Sequence, residues 1–221
     1  MSGYRHSDNL SSDIDLPVGK VVCVGRNYLD HIRELNNEVP KAALLFIKPS
    51  TALVNLDQPI ALPQHQGEVH HELEISLLIN RRLTKASAQE CSSAIAGVGL
   101  GLDLTLRDVQ SVLKAKGQPW EVAKGFDGAC PLSPFVDVSA FADLQDIDFS
   151  LSKNKQLQQR GNSGFMMHKI ADLLSTMSHS FTLLPGDVVL TGTPAGVSAL
   201  HSGDVLQLSL QDRYQWSVTV A

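Results

Sequence analysis

The chain has 221 residues, 43% of them hydrophobic and 19% charged, with a formal net charge of −5; this is ordinary globular composition with enough length for a sizeable core. The acidic balance gives no electrostatic reason to bind nucleic acid or an anionic membrane surface, so an anionic ligand must be held by a local site. No apolar run approaches the ~20 residues of a membrane helix, and the three cysteines lack a Cys-x-x-Cys spacing, which leaves them as small buried hydrophobes rather than disulfides or thiolate metal ligands.

Residues 1–18 are polar and lack the apolar core of a signal peptide, so they are expected to form a loose arm on a cytoplasmic protein, ahead of a single domain over 19–221. Lys20 to Val24 reads as a strand stopped by Gly25, with Asn27 placed to cap a short helix over Tyr28 to Leu35. Ala43 to Lys48 is a strand ended by Pro49. Gln58 to Leu62, beside Pro59 and Pro63, is at best an edge strand. His70 to Ile79 alternates as a strand. Ser87 to Ala96 carries the Ser-x-x-Glu signature of a capped helix. Gly97 to Asp103 is a glycine-rich strand that implies close backbone approach. Leu104 to Lys116 is an amphipathic helix ending at Gly117. From Ile147 onward the pattern is mostly strand, interrupted by a helix near Met167 to His179 and by Gly-Asp turns before Val188 and Val205. Strands outnumber helices without regular alternation, which predicts a mainly β, α+β fold rather than a doubly wound sheet.

The candidate chemistry begins in His70-His71-Glu72-Leu73-Glu74-Ile75. Glu72 and Glu74 point the same way on a strand, roughly 6.6 Å apart along its axis. A solvated face is one reading. A cation site is the other, because two carboxylates about 5 Å apart repel by roughly 3 kcal/mol at an effective dielectric of 20. Asp103 ends the glycine-rich strand and offers a third carboxylate, with a helix N-cap as the competing role. Oxygen-only ligation suits a hard cation, Mg²⁺ or else Mn²⁺ or Ca²⁺. Adjacent strand residues face opposite sides, so His70 and His71 cannot both join such a site. They and His6, His65, His168, His179 and His201 read as structural or exposed.

His31 and Glu34 are i, i+3 on a helix, either a surface pair or a general base with its orienting carboxylate. Lys124 lies in a sparsely charged segment, either as a surface lysine or as a stabiliser of an oxyanion. Thr191-Gly192-Thr193-Pro194-Ala195-Gly196-Val197 follows a strand and offers backbone N–H groups and a hydroxyl to a carboxylate. It lacks the Gly-Lys-Ser/Thr of a phosphate loop, so nucleotide binding is not expected.

Taken in order, Gly25-Arg26-Asn27-Tyr28 with His31 and Glu34, His71-Glu72-Leu73-Glu74, Leu102-Asp103-Leu104-Thr105-Leu106-Arg107-Asp108-Val109-Gln110, Ala123-Lys124-Gly125-Phe126-Asp127 and Leu190-Thr191-Gly192-Thr193-Pro194-Ala195-Gly196-Val197 closely resemble the fumarylacetoacetate hydrolase family, from about Lys20 to the C-terminus. The resemblance is to the short, single-domain acylpyruvase and oxaloacetate decarboxylase or tautomerase branch. It implies a mixed β-roll, usually a homodimer. It also implies Mg²⁺ on Glu72, Glu74 and Asp103, Lys124 at the substrate's enolate oxygen, and substrate contacts from Arg26, Gln110 and Thr191. His31 and Glu34 would form a water-activating dyad on a helix that orders as a lid.

The activity so implied is a Mg²⁺-dependent reaction on small 2-oxo acids. Hydrolytic C–C cleavage of acylpyruvates and decarboxylation or tautomerisation of oxaloacetate share one enolate, stabilised by the cation's charge. An isomerase or decarboxylase of a longer oxo-diacid is the alternative within the class. A protein that binds a metal and a dicarboxylate without turnover is the alternative outside it.

Overall fold

A computed structural model describes residues 3–221; Met1 and Ser2, the start of the expected arm, lie outside the described residues. In chain order the strands are β1 (Val21–Gly25), β2 (Leu44–Lys48), β3 (Leu53–Asn55), β4 (Val69–His71), β5 (Leu73–Ile79), β6 (Ile95–Leu102), β7 (Thr105–Leu106), β8 (Cys130–Leu132), β9 (Val136–Asp137), β10 (Asp148–Lys153), β11 (Gln156–Asn162), β12 (Val188–Leu190), β13 (Ser198–Ala199), β14 (Val205–Leu210) and β15 (Tyr214–Thr219). The helices are α1 (Leu29–Glu34), α2 (Ala88–Ser92), α3 (Arg107–Ala115), α4 (Glu121–Lys124) and α5 (Ile170–Ser180). None is long and apolar enough to cross a membrane.

The strands form three sheets. The largest runs β2-β1-β12-β5-β6-β8-β3, with β9 also pairing β6; a second runs β11-β10-β14-β15 and a third β13-β4-β7. The pairs β1–β12 and β3–β8 are parallel and the rest antiparallel, so the expected mixed, mainly β architecture is what the chain adopts.

β5 lies inside the large sheet, and all seven of its residues are buried. Leu73, Ile75, Leu77 and Ile79 enter one core, shared with α5 and the four-stranded sheet. Leu78, on the other face, enters a second core with Val21, Cys23, Phe46, Cys130 and Val188. Burial on two faces explains why the polar face of this strand turns apolar at Leu78. On β6, Gly97, Gly99 and Gly101 share one face. A Cβ added at Gly101 would meet Leu132 and Leu190 side-chain atoms at 2.8 Å, so the neighbouring elements pack directly on this backbone. Cys23, Cys91 and Cys130 are all buried free thiols.

Several local expectations are corrected. The segment from Gly3 to Val18 is not a loose arm: Tyr4, Ile14 and Leu16 pack on the second core, and the buried His6 ring donates from Nε2 to the Gly186 carbonyl at 3.0 Å. The strand over His70 to Ile79 breaks at Glu72, where the chain passes from the three-stranded to the large sheet. The α2 helix keeps its capping box between Ser87 and Glu90 but stops at Ser92, because Ile95 onward is claimed by pairing with β5. The helix expected from Leu104 begins only at Arg107, since Thr105 and Leu106 pair with β4. Asn27 does not cap α1. Its amide bonds the Thr191 and His168 carbonyls and accepts from the His168 backbone N–H, tying the start of α1 to the end of β12.

Candidate active site

The two breaks in the β4–β5 and β6–β7 segments lie side by side. Asp103 N–H donates to the Glu72 carbonyl at 2.8 Å, so both residues sit at the same bend between sheets. The bend turns their side chains, with Glu74, toward one point: carboxylate oxygens of Glu72, Glu74 and Asp103 lie within 4.8 Å of one another, all buried. Asp103 caps no helix.

Positive groups surround this cluster unequally. Lys124, at the end of α4, places Nζ 2.9 Å from Glu72 Oε2 and 2.6 Å from Asp103 Oδ2. Arg107 Nη2 is 2.5 Å from Glu72 Oε1. Lys48, fully buried, holds Nζ 2.8 Å from Asp103 Oδ1 but out of line for a hydrogen bond; its protons go to the carbonyls of Lys124, Ala129 and Leu104. Asp103 Oδ1 therefore keeps its lone pairs unused by any hydrogen bond. Glu74 has no basic side chain in ion-pair range among the described residues, only the Gly192 N–H at 2.5 Å. Burial would raise the Glu72 carboxyl, but Lys124 and Arg107 outweigh it and hold it well below the usual range. Burial, reinforced by Asp103 and Glu72, pushes Glu74 well above that range. Burial would lower the Lys124 ammonium, yet Asp103 and Glu72 hold it above its ordinary value.

This arrangement fits a hard divalent cation. The donors are oxygen only, one carboxylate oxygen is free of hydrogen bonds, and one carboxylate, Glu74, is repelled by its two neighbours with no side-chain cation in ion-pair range among the described residues. Among the described residues no histidine joins the cluster. His71 faces away: Nδ1 donates to Gln159 at 2.9 Å, Nε2 meets Ser198 at 2.8 Å, and burial pushes its pKa down to about 4.

The cluster floors a cleft of about 420 Å³, part of it open to solvent, lined by His31, Arg26, Gln110, Thr193, Phe46 and Trp120 among others. His31 Nδ1 lies 3.3 Å from Glu34 Oε2 and donates to that carboxylate, which leaves Nε2 able to take a proton. The other Glu34 oxygen accepts from the Gly196 N–H at 2.9 Å. One loop, 191–197, thus touches both a cluster carboxylate and the dyad carboxylate. Gly192 holds φ +93°, and a Cβ there would meet Asn27 at 2.6 Å, so only glycine fits this turn. Gln110 accepts from Arg107 Nη1 at 2.8 Å.

Six of the nine residues singled out from sequence line one cleft, and two more, Asp103 and Glu34, contact its lining residues Lys124 and His31. Thr191 is the exception: its hydroxyl donates to the Ile75 carbonyl at 3.0 Å and does not line the cleft, whereas Thr193 does. Sequence reasoning missed the parts played by Arg107 and Lys48. Arg107 and Gln110 are i, i+3 on one helix, a spacing that marks them as neighbours. Lys48 is a charged residue closing the apolar run Leu44-Leu45-Phe46-Ile47, a place where a lysine must find buried acceptors.

Comparison with known proteins gives this geometry a family. The chain is 51% identical to oxaloacetate tautomerase YcgM of Escherichia coli over 207 residues, 93% of this chain and 94% of the relative. It superposes on a fumarylacetoacetate hydrolase family protein from Yersinia pestis with a TM-score of 0.97 and 46% identity, covering 99% of this chain and 100% of the other. It superposes on fumarylpyruvate hydrolase from Pseudomonas aeruginosa, in complex with Mn²⁺ and pyruvate, with a TM-score of 0.92 and 30% identity, covering 100% and 97%. Residues 20–220 match the family described as Fumarylacetoacetate (FAA) hydrolase C-terminal. The chain belongs to the fumarylacetoacetate hydrolase family and is an enzyme.

Proposed function

We propose that the protein is a Mg²⁺-dependent enzyme on small 2-oxo acids, with oxaloacetate as its first substrate, tautomerised or decarboxylated through an enolate. The observation that carries this reading is the convergence of Glu72, Glu74 and Asp103 beside Lys124. The 51% identity to an oxaloacetate tautomerase supports the choice of substrate.

Glu72, Glu74 and Asp103 would hold the cation, which when bound supplies Lewis-acid polarisation of a 2-oxo acid. Lys124 presents a fixed ammonium to the oxygen on which negative charge develops as the enolate forms, in a buried setting where such a contact counts most. Gln110, oriented by Arg107, donates its amide to the substrate's carboxylate, and Arg26 contacts the substrate from the cleft's outer end. Thr191 acts through the backbone it anchors, holding the loop whose Thr193 lines the cleft. Phe46 and Trp120 form an apolar wall that keeps water from the enolate carbon.

His31 with Glu34 favours a second reading, hydrolytic cleavage of acylpyruvates. Nε2 takes a proton from water, the hydroxide attacks the distal carbonyl, and the carbon–carbon bond breaks to release pyruvate as its enolate. A fumarylpyruvate hydrolase at a TM-score of 0.92 supports it. This reading keeps α1 as a lid and the active form as a homodimer, which sedimentation of the purified protein tests.

The deciding assay follows loss of oxaloacetate and of acetylpyruvate with Mg²⁺, with Mn²⁺ and after EDTA. Turnover that disappears with EDTA and returns with Mg²⁺ is expected. Undiminished turnover in EDTA contradicts the cation's role, and no turnover of either acid favours a binding protein.

A further inference from the structure

The cleft is electrostatically lopsided. Its floor is the carboxylate cluster, but its outer end carries Arg26 and Lys114, neither with a carboxylate in ion-pair range among the described residues. Both reach the same atom: Asn37 Oδ1 accepts from Lys114 Nζ at 2.9 Å and from Arg26 Nη2 at 3.3 Å. A second Arg26 nitrogen donates to the Glu38 carbonyl at 3.3 Å. One neutral amide oxygen thus holds two cations close together, where their charges repel. Burial, with the neighbouring charges of Arg26 and Arg107, presses the Lys114 ammonium below its ordinary value. Arg26 itself sits at φ +60°, a left-handed backbone conformation that aims its side chain from the end of β1 into the cleft.

The spacing along α3 gives the site a direction. Arg107, Gln110 and Lys114 are i, i+3 and i+7 and share the face that lines the cleft. Arg107 is bound to Glu72 at the floor, and Gln110 is bound to Arg107. Lys114 is the step furthest from the cluster and the one left without an anion.

We propose that Arg26 and Lys114, yoked by Asn37, form a second carboxylate site at the outer end of the cleft, which selects dicarboxylic 2-oxo acids over monocarboxylic ones. The inference rests on the reading that the cleft takes 2-oxo acids with the 2-oxo end toward the carboxylate cluster. The far carboxylate accepts from Lys114 Nζ and the Arg26 guanidinium and relieves the repulsion between them.

Two measurements test it. Calorimetric binding in Mg²⁺ compares the unreactive diacids malate and 2-hydroxyglutarate with the monoacids lactate and 2-hydroxybutyrate. Steady-state kinetics compares oxaloacetate with acetylpyruvate. In the wild type at least one diacid should bind about 10-fold or more tightly than its monoacid partner, the strength of one charge-assisted contact. Lys114→Met should collapse that ratio, and Lys114→Arg should restore most of it. Asn37→Asp, which places a carboxylate between the two cations, should collapse it as well. A diacid-to-monoacid ratio that is unchanged in Lys114→Met and Asn37→Asp, or absent in the wild type, overturns the proposal. If the wild type turns over no oxo acid yet shows the Lys114-dependent diacid preference, the catalytic reading fails and the second carboxylate site stands.

Discussion

The carboxylate cluster and the His31–Glu34 pair face one cleft but are built in opposite ways. Glu72, Glu74 and Asp103 stand on or beside central strands and are buried, and Lys48, Lys124 and Arg107 grip Glu72 and Asp103. His31 and Glu34 stand on a helix of six residues with no side-chain cap, Glu34 partly exposed, held at its far side by one N–H from Gly196. Short helices draw most of their stability from tertiary packing. Charge stabilisation needs donors that do not relax when charge develops, whereas activation of water tolerates an element that opens and closes. Under the proposed function the buried cluster would serve the shared enolate chemistry, and the pair on the short helix the step that only hydrolysis needs.

The contrast can be broken most severely at Lys48. Lys48→Met removes the buried partner of Asp103 and strands the Lys124 and Leu104 carbonyls, and is expected to cost about 3–5 kcal/mol of unfolding free energy, measured by denaturant melts. A loss below about 1 kcal/mol would show that the buried cluster does not depend on this pair. His31→Ala sharpens the division of labour. Acylpyruvate hydrolysis should fall ~100-fold or more, the usual yield of a general base, and oxaloacetate tautomerisation should fall less. Equal losses refute the water-activating role.

A smaller effect is expected away from the cleft. Ser87→Ala removes a capping box on α2 and should cost about 1 kcal/mol without changing cation affinity. The smallest concerns pH. Burial lowers the pKa of His6 from its ordinary 6.5, against the opposing Gly186 hydrogen bond, so the unfolded chain binds the proton more readily than the folded one. His6 thus contributes stability that is full above about pH 6.5 and is lost as pH falls through the folded value. The difference in melting temperature between wild type and His6→Asn should shrink as pH drops from 7.5 to about 5. A difference that stays constant contradicts the buried, neutral ring.

Local patterns made much of this legible. Alternation located β5, the Ser-x-x-Glu spacing located the start of α2, and the glycines of β6 announced close packing. What failed was the place where a strand ends. The break at Glu72 and the late start of α3 at Arg107 are set by pairing between β4 and β7, where Val69 meets Leu106 and His70 meets Thr105, partners too far apart in the chain for any local window to contain both. The acidic triad was visible as residues because glutamates on an apolar strand are costly. Two of its counter-charges, Lys48 and Arg107, were not, because they reach it only through the tertiary fold. The arm reads as loose because its polar residues dominate, while Tyr4, Ile14 and Leu16 do the packing.

The central claim is that three carboxylates from two stretches of chain, Glu72 and Glu74 on one and Asp103 on the other, hold one divalent cation. Titrating the purified protein with Mn²⁺, read by electron paramagnetic resonance, tests it directly. The account predicts one ion per chain. It also predicts that Glu74→Gln and Asp103→Asn each weaken binding beyond the ~10–100-fold that loss of an outer contact costs. Wild-type affinity retained in both variants would contradict it.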